Sequence, residues 1–329
     1  MRIHASCVAT LLLGAFSAIA QPGTDNDFRL VLAQHNGRLI WTADQFKITQ
    51  SSAKPNGQEI GIRGNQNTGH LTFLGFLFLS PEEAPLTGAK CRDGALNAAK
   101  KDNPQLKVLA TSEITPKNGL PVSIVEYSEP DRSGRTLYSV RGFVATHDIC
   151  GDLEFYSNES IHAADPDLHR VFSSLKLDAD YVPQFSDVFV YAQLLYNEQQ
   201  FASAAPLFEL ALDRLKNIPE KDNRTARRIL IDQAGMAYGI SGNLAKARTI
   251  FTKAVVDDPD YPMYYYNLAC ADAQDKNLAG AQKYLQEAFD RKANVNPGEQ
   301  MPDPTQDGSF TPYRDNKQFW SFIESLRSK

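Results

Sequence analysis

The densest group of reactive side chains in the sequence is His147-Asp148-Ile149-Cys150. A thiol beside an imidazole can act as a nucleophilic pair, because the base can remove the thiol proton. The same residues also suit a turn that leads into one half of a disulfide. The spacing alone does not show that the imidazole contacts the thiol. We therefore favour the turn and keep the nucleophilic pair as the alternative.

Cysteine pairing is the second chemical question. Three cysteines follow the first 20 residues, namely Cys91, Cys150 and Cys270. Cys91 and Cys150 fall in the same half of the chain, and an even pair is a candidate disulfide if the protein reaches an oxidising compartment. Closing the long loop between them would stabilise the fold by about 4 kcal/mol. Cys270 would then remain a free thiol, which commonly behaves as a small buried hydrophobe.

The histidines and carboxylates form no pattern that predicts catalysis. His162 and His169 are seven residues apart, but Pro166 interrupts the helix that would place them on one face. Four glutamates alternate with apolar residues, as solvent-facing strand residues do: Glu126, Glu129, Glu154 and Glu159. We therefore predict no catalytic residues, no metal site and no cofactor.

The elements that would position these groups are mainly strands. From Phe28 to about Thr146 the apolar residues recur mostly at strand spacing, within a predicted α/β domain of residues 28–178. We predict strands near residues 28–32, 39–48, 59–63, 71–79, 106–115, 121–127, 137–145 and 153–156. One helix should begin after the N-cap Thr87 and run to Lys101. A second should begin at Asp165, a cap followed by proline, and pack its apolar stripe on the sheet.

The succession of hairpin strands, helix and short final strand resembles the PsbP-like α/β/α sandwich. Residues 138–146, 152–157 and 168–177 carry the resemblance. It implies a sandwich that usually serves as a binding or assembly module. The alternative is an enzyme or small-ligand site in this half, which its aromatic residues would line: Tyr127, Tyr138, Phe143, Phe155 and Tyr156.

The second half has helical periodicity and an internal repeat. Ala247 and Ala281 are 34 residues apart, which is the tetratricopeptide (TPR) period. Ala204 occupies the same place in an earlier unit 43 residues before Ala247, so nine extra residues should lie around residues 217–223. Residues 184–293 therefore resemble three TPR-type helix pairs.

A Pro-, Gly- and Asp-rich stretch, residues 294–312, should be irregular. Residues 313–329 then carry one broad apolar face, which is typical of a terminal helix that covers the exposed end of a repeat stack. The predicted fold class is α+β: a sheet-rich α/β sandwich domain followed by an all-α TPR-type stack with a capping helix.

In TPR proteins the first helices line a concave face that holds peptides or helices of partner proteins. The repeat register places these first-helix residues on that face: Gln193, Tyr196, Asn197, Asp232, Gln233, Met236, Tyr266, Asn267, Cys270 and Gln274. Asn267 matches a family position that contacts peptide backbone, but the lysines of a carboxylate clamp are absent. We predict an unidentified protein partner on this face. The alternative is that the face packs on the α/β domain or on the tail.

The start of the chain predicts export. Arg2, an apolar run over residues 7–16 and Ala18-Ile19-Ala20 form a signal-peptide pattern over residues 1–20, with a linker at 21–27. The apolar run is shorter than the roughly 20 residues of a membrane span, so we expect no transmembrane segment in the mature chain. Without Arg2, 33 of the 34 basic residues face 39 acidic ones, a charge of -6 that argues against nucleic-acid binding. We expect a periplasmic or secreted protein.

Overall fold

The structure is a computed structural model that describes residues 27–55, 57–80, 85–116 and 119–327. The predicted signal peptide and the linker up to residue 26 lie outside the described residues. The described chain divides into two compact units, residues 27–195 and 196–327. No helix in the described ranges combines the length and apolarity that a membrane crossing requires.

The first unit contains two antiparallel sheets. The strands that the structure describes are β1 (Asp27–Val31), β2 (Arg38–Thr42), β3 (Phe46–Ala53), β4 (Glu59–Gln66), β5 (Thr72–Leu79), β6 (Lys107–Ile114), β7 (Val122–Pro130), β8 (Thr136–Thr146), β9 (Ile149–Ser157) and β10 (Lys176–Asp178). The smaller sheet has the order β1-β2-β10, and the larger has the order β3-β4-β5-β9-β8-β7-β6. The predicted sheet-rich half is confirmed.

The prediction of a single strand over residues 39–48 is wrong. A turn closed by the Phe46 N–H donating to the Ala43 carbonyl at 3.0 Å separates β2 from β3. The two strands join different sheets, so Trp41 and Phe46 are both buried but come from different layers. Apolar spacing continues through this turn, and it therefore hid the change of sheet.

Two helices, α1 (Gly88–Asp102) and α2 (Pro166–Ser174), lie on opposite faces of the larger sheet. The Thr87 hydroxyl caps α1 as predicted, since it accepts the Lys90 N–H at 3.2 Å. Gly88 allows the close approach, because a Cβ there would lie 2.6 Å from the Phe143 carbonyl oxygen. On the other face the Phe172 ring of α2 packs over Gly142. The first unit therefore has three layers. They are α1, the larger sheet, and a third layer formed by α2 and the smaller sheet.

The predicted disulfide is present. Cys91 of α1 is bonded to Cys150 of β9, with their Cα atoms 6.2 Å apart. His147 lies in the turn between β8 and β9, where its φ is 50°. The turn interpretation of residues 147–150 is thus confirmed, and the nucleophilic alternative is wrong because the sulfur is oxidised. Cys270 is buried and lies outside this disulfide.

The second half of the chain is helical. Its helices are α3 (Phe185–Asn197), α4 (Phe201–Arg214), α5 (Glu220–Ile240), α6 (Leu244–Asp257), α7 (Pro262–Gln274), α8 (Leu278–Asp290) and α9 (Lys317–Arg327). Short 3-10 turns cover Leu215–Asn217, Lys292–Asn294 and Gly308–Tyr313. Ala204, Ala247 and Ala281 each occupy the fourth position of a second helix, and all three are buried.

The turn inside each helix pair has the same backbone shape. Gln199, Gly242 and Lys276 all have positive φ, at 61°, 95° and 59°. Each stands two residues before the second helix of its pair. Asn243 and Asn277 then cap α6 and α8 through side-chain hydrogen bonds to backbone N–H groups. The shared turn and the buried alanines identify the pairs as one repeated TPR-type unit.

The extra residues of the second pair lengthen its first helix. The 3-10 turn at residues 215–217 leads into α5, which has 21 residues where α7 has 13. Further along α5, Gly235 faces α6, and a Cβ there would lie 2.3 Å from the Phe251 ring. The absence of that Cβ lets the two helices pack closely.

Candidate partner-binding surface

The face formed by first helices α5 and α7, which we call the first-helix face, is covered by the chain itself. Residues 291–316 run back across it after the third pair, and we call them the return segment. Its 3-10 turn Gly308–Tyr313 packs on α7. Hydrogen bonds from Arg228, Tyr261 and Tyr266 hold other parts of it.

Arg228 of α5 anchors the start of the return segment. Its Nη1 donates to the Asn294 carbonyl at 3.1 Å, and its Nε and Nη2 donate to Asp258 at 2.6 and 3.1 Å. Its guanidinium lies 4.6 Å from the Tyr261 ring centroid. Arg228 is only 7% exposed. The return segment and α7 cover it.

A buried hydrogen-bonded group surrounds Glu299. The Tyr261 hydroxyl donates to Glu299 Oε1 at 2.7 Å, and the Asn296 N–H donates to Oε2 at 2.9 Å. Asn296 Nδ2 donates in turn to the Tyr261 oxygen at 3.2 Å. Burial, with the nearby charges of Asp232 and Glu299, raises the pKa of Tyr261, so its hydroxyl remains a donor. The Glu299 carboxylate is therefore held by donors on both oxygens.

Asp232 of α5 lies within this buried region and is 3% exposed. Its Oδ1 accepts from Asn267 Nδ2 at 2.6 Å. Burial and then the charge of Glu299 raise the pKa of Asp232 to about 8, although the hydrogen bond from Asn267 acts in the opposite direction. The carboxyl is mostly protonated at neutral pH.

A second carboxylate, Asp307, anchors the end of the return segment. The Tyr266 hydroxyl donates to Asp307 Oδ2 at 2.9 Å, and the Cys270 thiol lies 3.6 Å from the same oxygen. Asp307 Oδ1 accepts the Ser309 N–H at 2.8 Å and so begins the 3-10 turn. This turn places the Phe310 ring edge-on to Tyr266, with centroids 6.0 Å apart. Both rings are buried.

The predicted face residues fall into two groups. Buried among α5, α7 and the return segment are Asp232, Tyr266, Asn267 and Cys270. The rest retain some exposure: Gln193, Tyr196, Gln233 and Met236 are partly buried, and Asn197 and Gln274 are exposed. For Tyr266 and Cys270 the structure shows packing on the tail. Replacing Tyr266 would thus remove internal contacts.

Sequence reasoning missed Arg228, Tyr261, Glu299 and Asp307. One signal was present in the sequence, because residues 261–271, which include most of α7, show no polar stripe. In the structure every one of these residues is buried. A helix that is apolar on all sides requires cover on all sides. The second helices bury only part of it, so a further segment was needed.

The first unit holds a separate charged network. Arg141 donates to both oxygens of Asp152 at 3.0 Å, and Tyr127 donates to Glu154. Burial lowers the pKa of Arg141, but the charges of Asp152 and Glu154 outweigh it and raise that pKa. These groups satisfy one another, as a buried ion pair requires.

Two of the glutamates predicted to face solvent are buried or paired. Glu126 is 9% exposed, and its Oε2 lies 2.9 Å from His162 Nδ1 while its Oε1 accepts the Ala163 N–H. The prediction is wrong for Glu126 and Glu154 because β7 and β9 are central strands with layers on both faces, so alternation does not separate core from solvent. The hydrogen bond that His162 donates to the Glu126 carboxylate, opposed by partial desolvation, raises the pKa of His162.

Surface cavities in the first unit do not coincide with this network. One, of about 260 Å³, is lined by residues that include Asp27, Ser174 and Lys176. Another, of about 300 Å³, is lined by residues that include His70 and Asp165. Across the described ranges, no three His, Cys, Asp or Glu side chains are grouped as metal ligands. The aromatic residues Phe143 and Phe155 are core residues.

No protein-family model and no curated protein matches the sequence. Among solved structures, PcrH from Pseudomonas aeruginosa is 12% identical over 44% of this chain and 91% of its own, with a TM-score of 0.30. The Sgt2 TPR domain from Aspergillus fumigatus is 17% identical over 45% and 84%, with a TM-score of 0.32. The Yersinia enterocolitica type III secretion chaperone SycD, in complex with a peptide of the translocator YopD, is 15% identical over 44% and 92%, with a TM-score of 0.29. At these TM-scores we draw nothing from the alignments, and the TPR-type assignment rests on the repeated register and turn.

Proposed function

We propose that this is an exported scaffold protein that binds a protein partner through the first-helix face of its TPR-type stack. The observation that carries the proposal is the seated return segment. Around it, α5 and α7 present side-chain donors and an apolar surface to a non-helical polypeptide. Stacked helix pairs recognise partner segments on the same concave face.

The margin of the face offers contacts for such a partner. Gln233 and Met236 of α5 and Gln274 of α7 remain at least partly exposed. Gln233 Oε1 is buried without a hydrogen-bond partner among the described residues. A backbone N–H of a partner would satisfy this acceptor, because an unpaired buried carbonyl is costly.

Export is part of the proposal. The signal-peptide pattern of residues 1–20 and the Cys91–Cys150 disulfide both suit an oxidising compartment outside the cytoplasm. Mass spectrometry of protein recovered from that compartment should show an N-terminus at Gln21. A chain that starts at Met1 in that pool would contradict export.

Site-specific photocross-linking tests the binding face. A photoreactive amino acid at Gln233 or Gln274 should capture one recurrent protein in the cells that make this protein. Val256, which is 75% exposed on the second helix α6, is the matched control position. Capture from Val256 alone, or from none of the three positions, would rule out the first-helix face.

A further inference from the structure

We infer that the partner presents an irregular, turn-containing segment with two carboxylates, and that the return segment is a built-in competitor for the same donors. This inference rests on the proposed function and specifies the chemistry of its partner. The return segment is an occupant already seated on the face, so its contacts indicate what the face recognises.

The donors on the face select carboxylates. Tyr261 and Tyr266 point their hydroxyls at Glu299 and Asp307, which are eight residues apart in the return segment. Arg228 adds a guanidinium donor to a backbone carbonyl of the same segment. Hydrogen bonds to charged acceptors are the stronger ones in proteins. Turns at residues 296–299 and 303–306 bring the two carboxylates to these hydroxyls, so an acidic segment that turns in the same way satisfies both.

Asp232, whose charge acts on Tyr261, does not repel such a segment. Asp232 carries no charge while it is protonated, and its pKa is raised to about 8 by burial and by Glu299. Its Oδ1 is already paired with Asn267. Below this pKa the face therefore presents donors and a neutral acid to an incoming carboxylate.

The return segment has a polar part and an apolar part with different attachments. Residues 294–307 are held by hydrogen bonds from Arg228, Tyr261 and Tyr266, with Met301 as a partly buried apolar contact. From Phe310 onward the chain enters the core cluster with α9. A competing carboxylate segment can offer the same acceptors to these donors, so it can replace the polar part while the apolar part stays packed.

A labelled peptide tests the competition directly. The probe is a fluorescein-labelled peptide with the sequence of residues 294–308, which contains Glu299 and Asp307 together with Asp303. It is titrated by fluorescence anisotropy into the full mature chain and into the double variant Glu299→Gln, Asp307→Asn. We expect the variant to bind the probe at least tenfold more tightly than the wild type, because its own segment competes less well.

A matched peptide with Gln at position 299 and Asn at position 307, and with Asp303 unchanged, should bind the variant at least tenfold more weakly than the acidic probe. Equal affinity of the two peptides, or equal affinity of the two proteins for the acidic probe, would overturn the inference. If the double variant loses its circular dichroism signal, Asp307→Asn alone replaces it, since an asparagine retains the cap on Ser309. Cross-linking from Gln233 to a cellular protein without peptide binding would leave the proposed function intact and refute only the carboxylate chemistry.

Discussion

Replacing Asp232 with Asn should remove a pH dependence of stability that the wild type shows between about pH 4 and pH 8. The pKa of Asp232 is about 8 in the folded protein against 3.8 ordinarily. The folded carboxyl therefore keeps its proton at pH values where the unfolded one has lost it. The stabilising contribution of this group is complete below about pH 4 and is lost as the pH rises to about 8.

The magnitude follows from the two pKa values. Each pH unit between them corresponds to about 1.4 kcal/mol, so the full span represents on the order of 5 kcal/mol. The amide that replaces the carboxyl cannot ionise, and it can still pair with Asn267, which now bonds Asp232 at 2.6 Å. The variant should match the wild type within about 1 kcal/mol at about pH 4, and its advantage should grow by about 1.4 kcal/mol per pH unit up to pH 8.

Urea denaturation followed by circular dichroism at pH 5, 6, 7 and 8 gives the comparison. His162, whose pKa is also raised, contributes a slope of the same sign in both proteins, so the difference between the two curves isolates Asp232. Asp258→Asn is the matched control: burial raises the pKa of Asp258, but its bonds to Arg228 and Arg224 outweigh this and lower it. The free energy of unfolding of that variant should lie below the wild-type value by a constant amount between pH 5 and pH 8. Parallel curves for wild type and Asp232→Asn would refute the reasoning.

Three further changes have defined outcomes. Cys150→Ser should lower the free energy of unfolding by about 4 kcal/mol, measured without reductant, because it opens the loop that the bond to Cys91 closes; an unchanged midpoint would mean that the thiols are reduced. Gly235→Ala should cost about 1 to 3 kcal/mol, since the new methyl group meets the Phe251 ring, and a neutral result would show that α5 and α6 can separate freely. Asn243→Ala should cost about 1 kcal/mol through loss of the α6 cap, whereas Asn243→Asp should largely restore the melting temperature.

Local patterns in the sequence were sufficient to predict the features that depend on residues close in sequence. The repeat register of the alanines, the Thr87 cap and the positions of most strands depend on contacts between residues close in sequence. The disulfide was also predictable, since only two of the cysteines lie in the sheet-rich half. The fold class followed from the change in apolar period near Pro183.

Burial on two faces was beyond the reach of those patterns. Glu126 and Glu154 alternate with apolar residues, yet a helix layer on each side of the sheet places both in networks. Alternation of polar and apolar residues along a strand indicates which residues face solvent only when one face of the sheet is open to solvent. The break between β2 and β3 was hidden for a related reason, because both strands enter the same core.

The sequence by itself determined three helix pairs, the residues on their first helices, and an irregular stretch rich in Pro, Gly and Asp after them. Only the tertiary structure showed that this stretch crosses the first-helix face and buries Asp232, Tyr266 and Asn267. The bond from Tyr266 to Asp307 spans 41 residues. A contact of that separation depends on where the intervening helices direct the chain, and no periodicity in the sequence records that path.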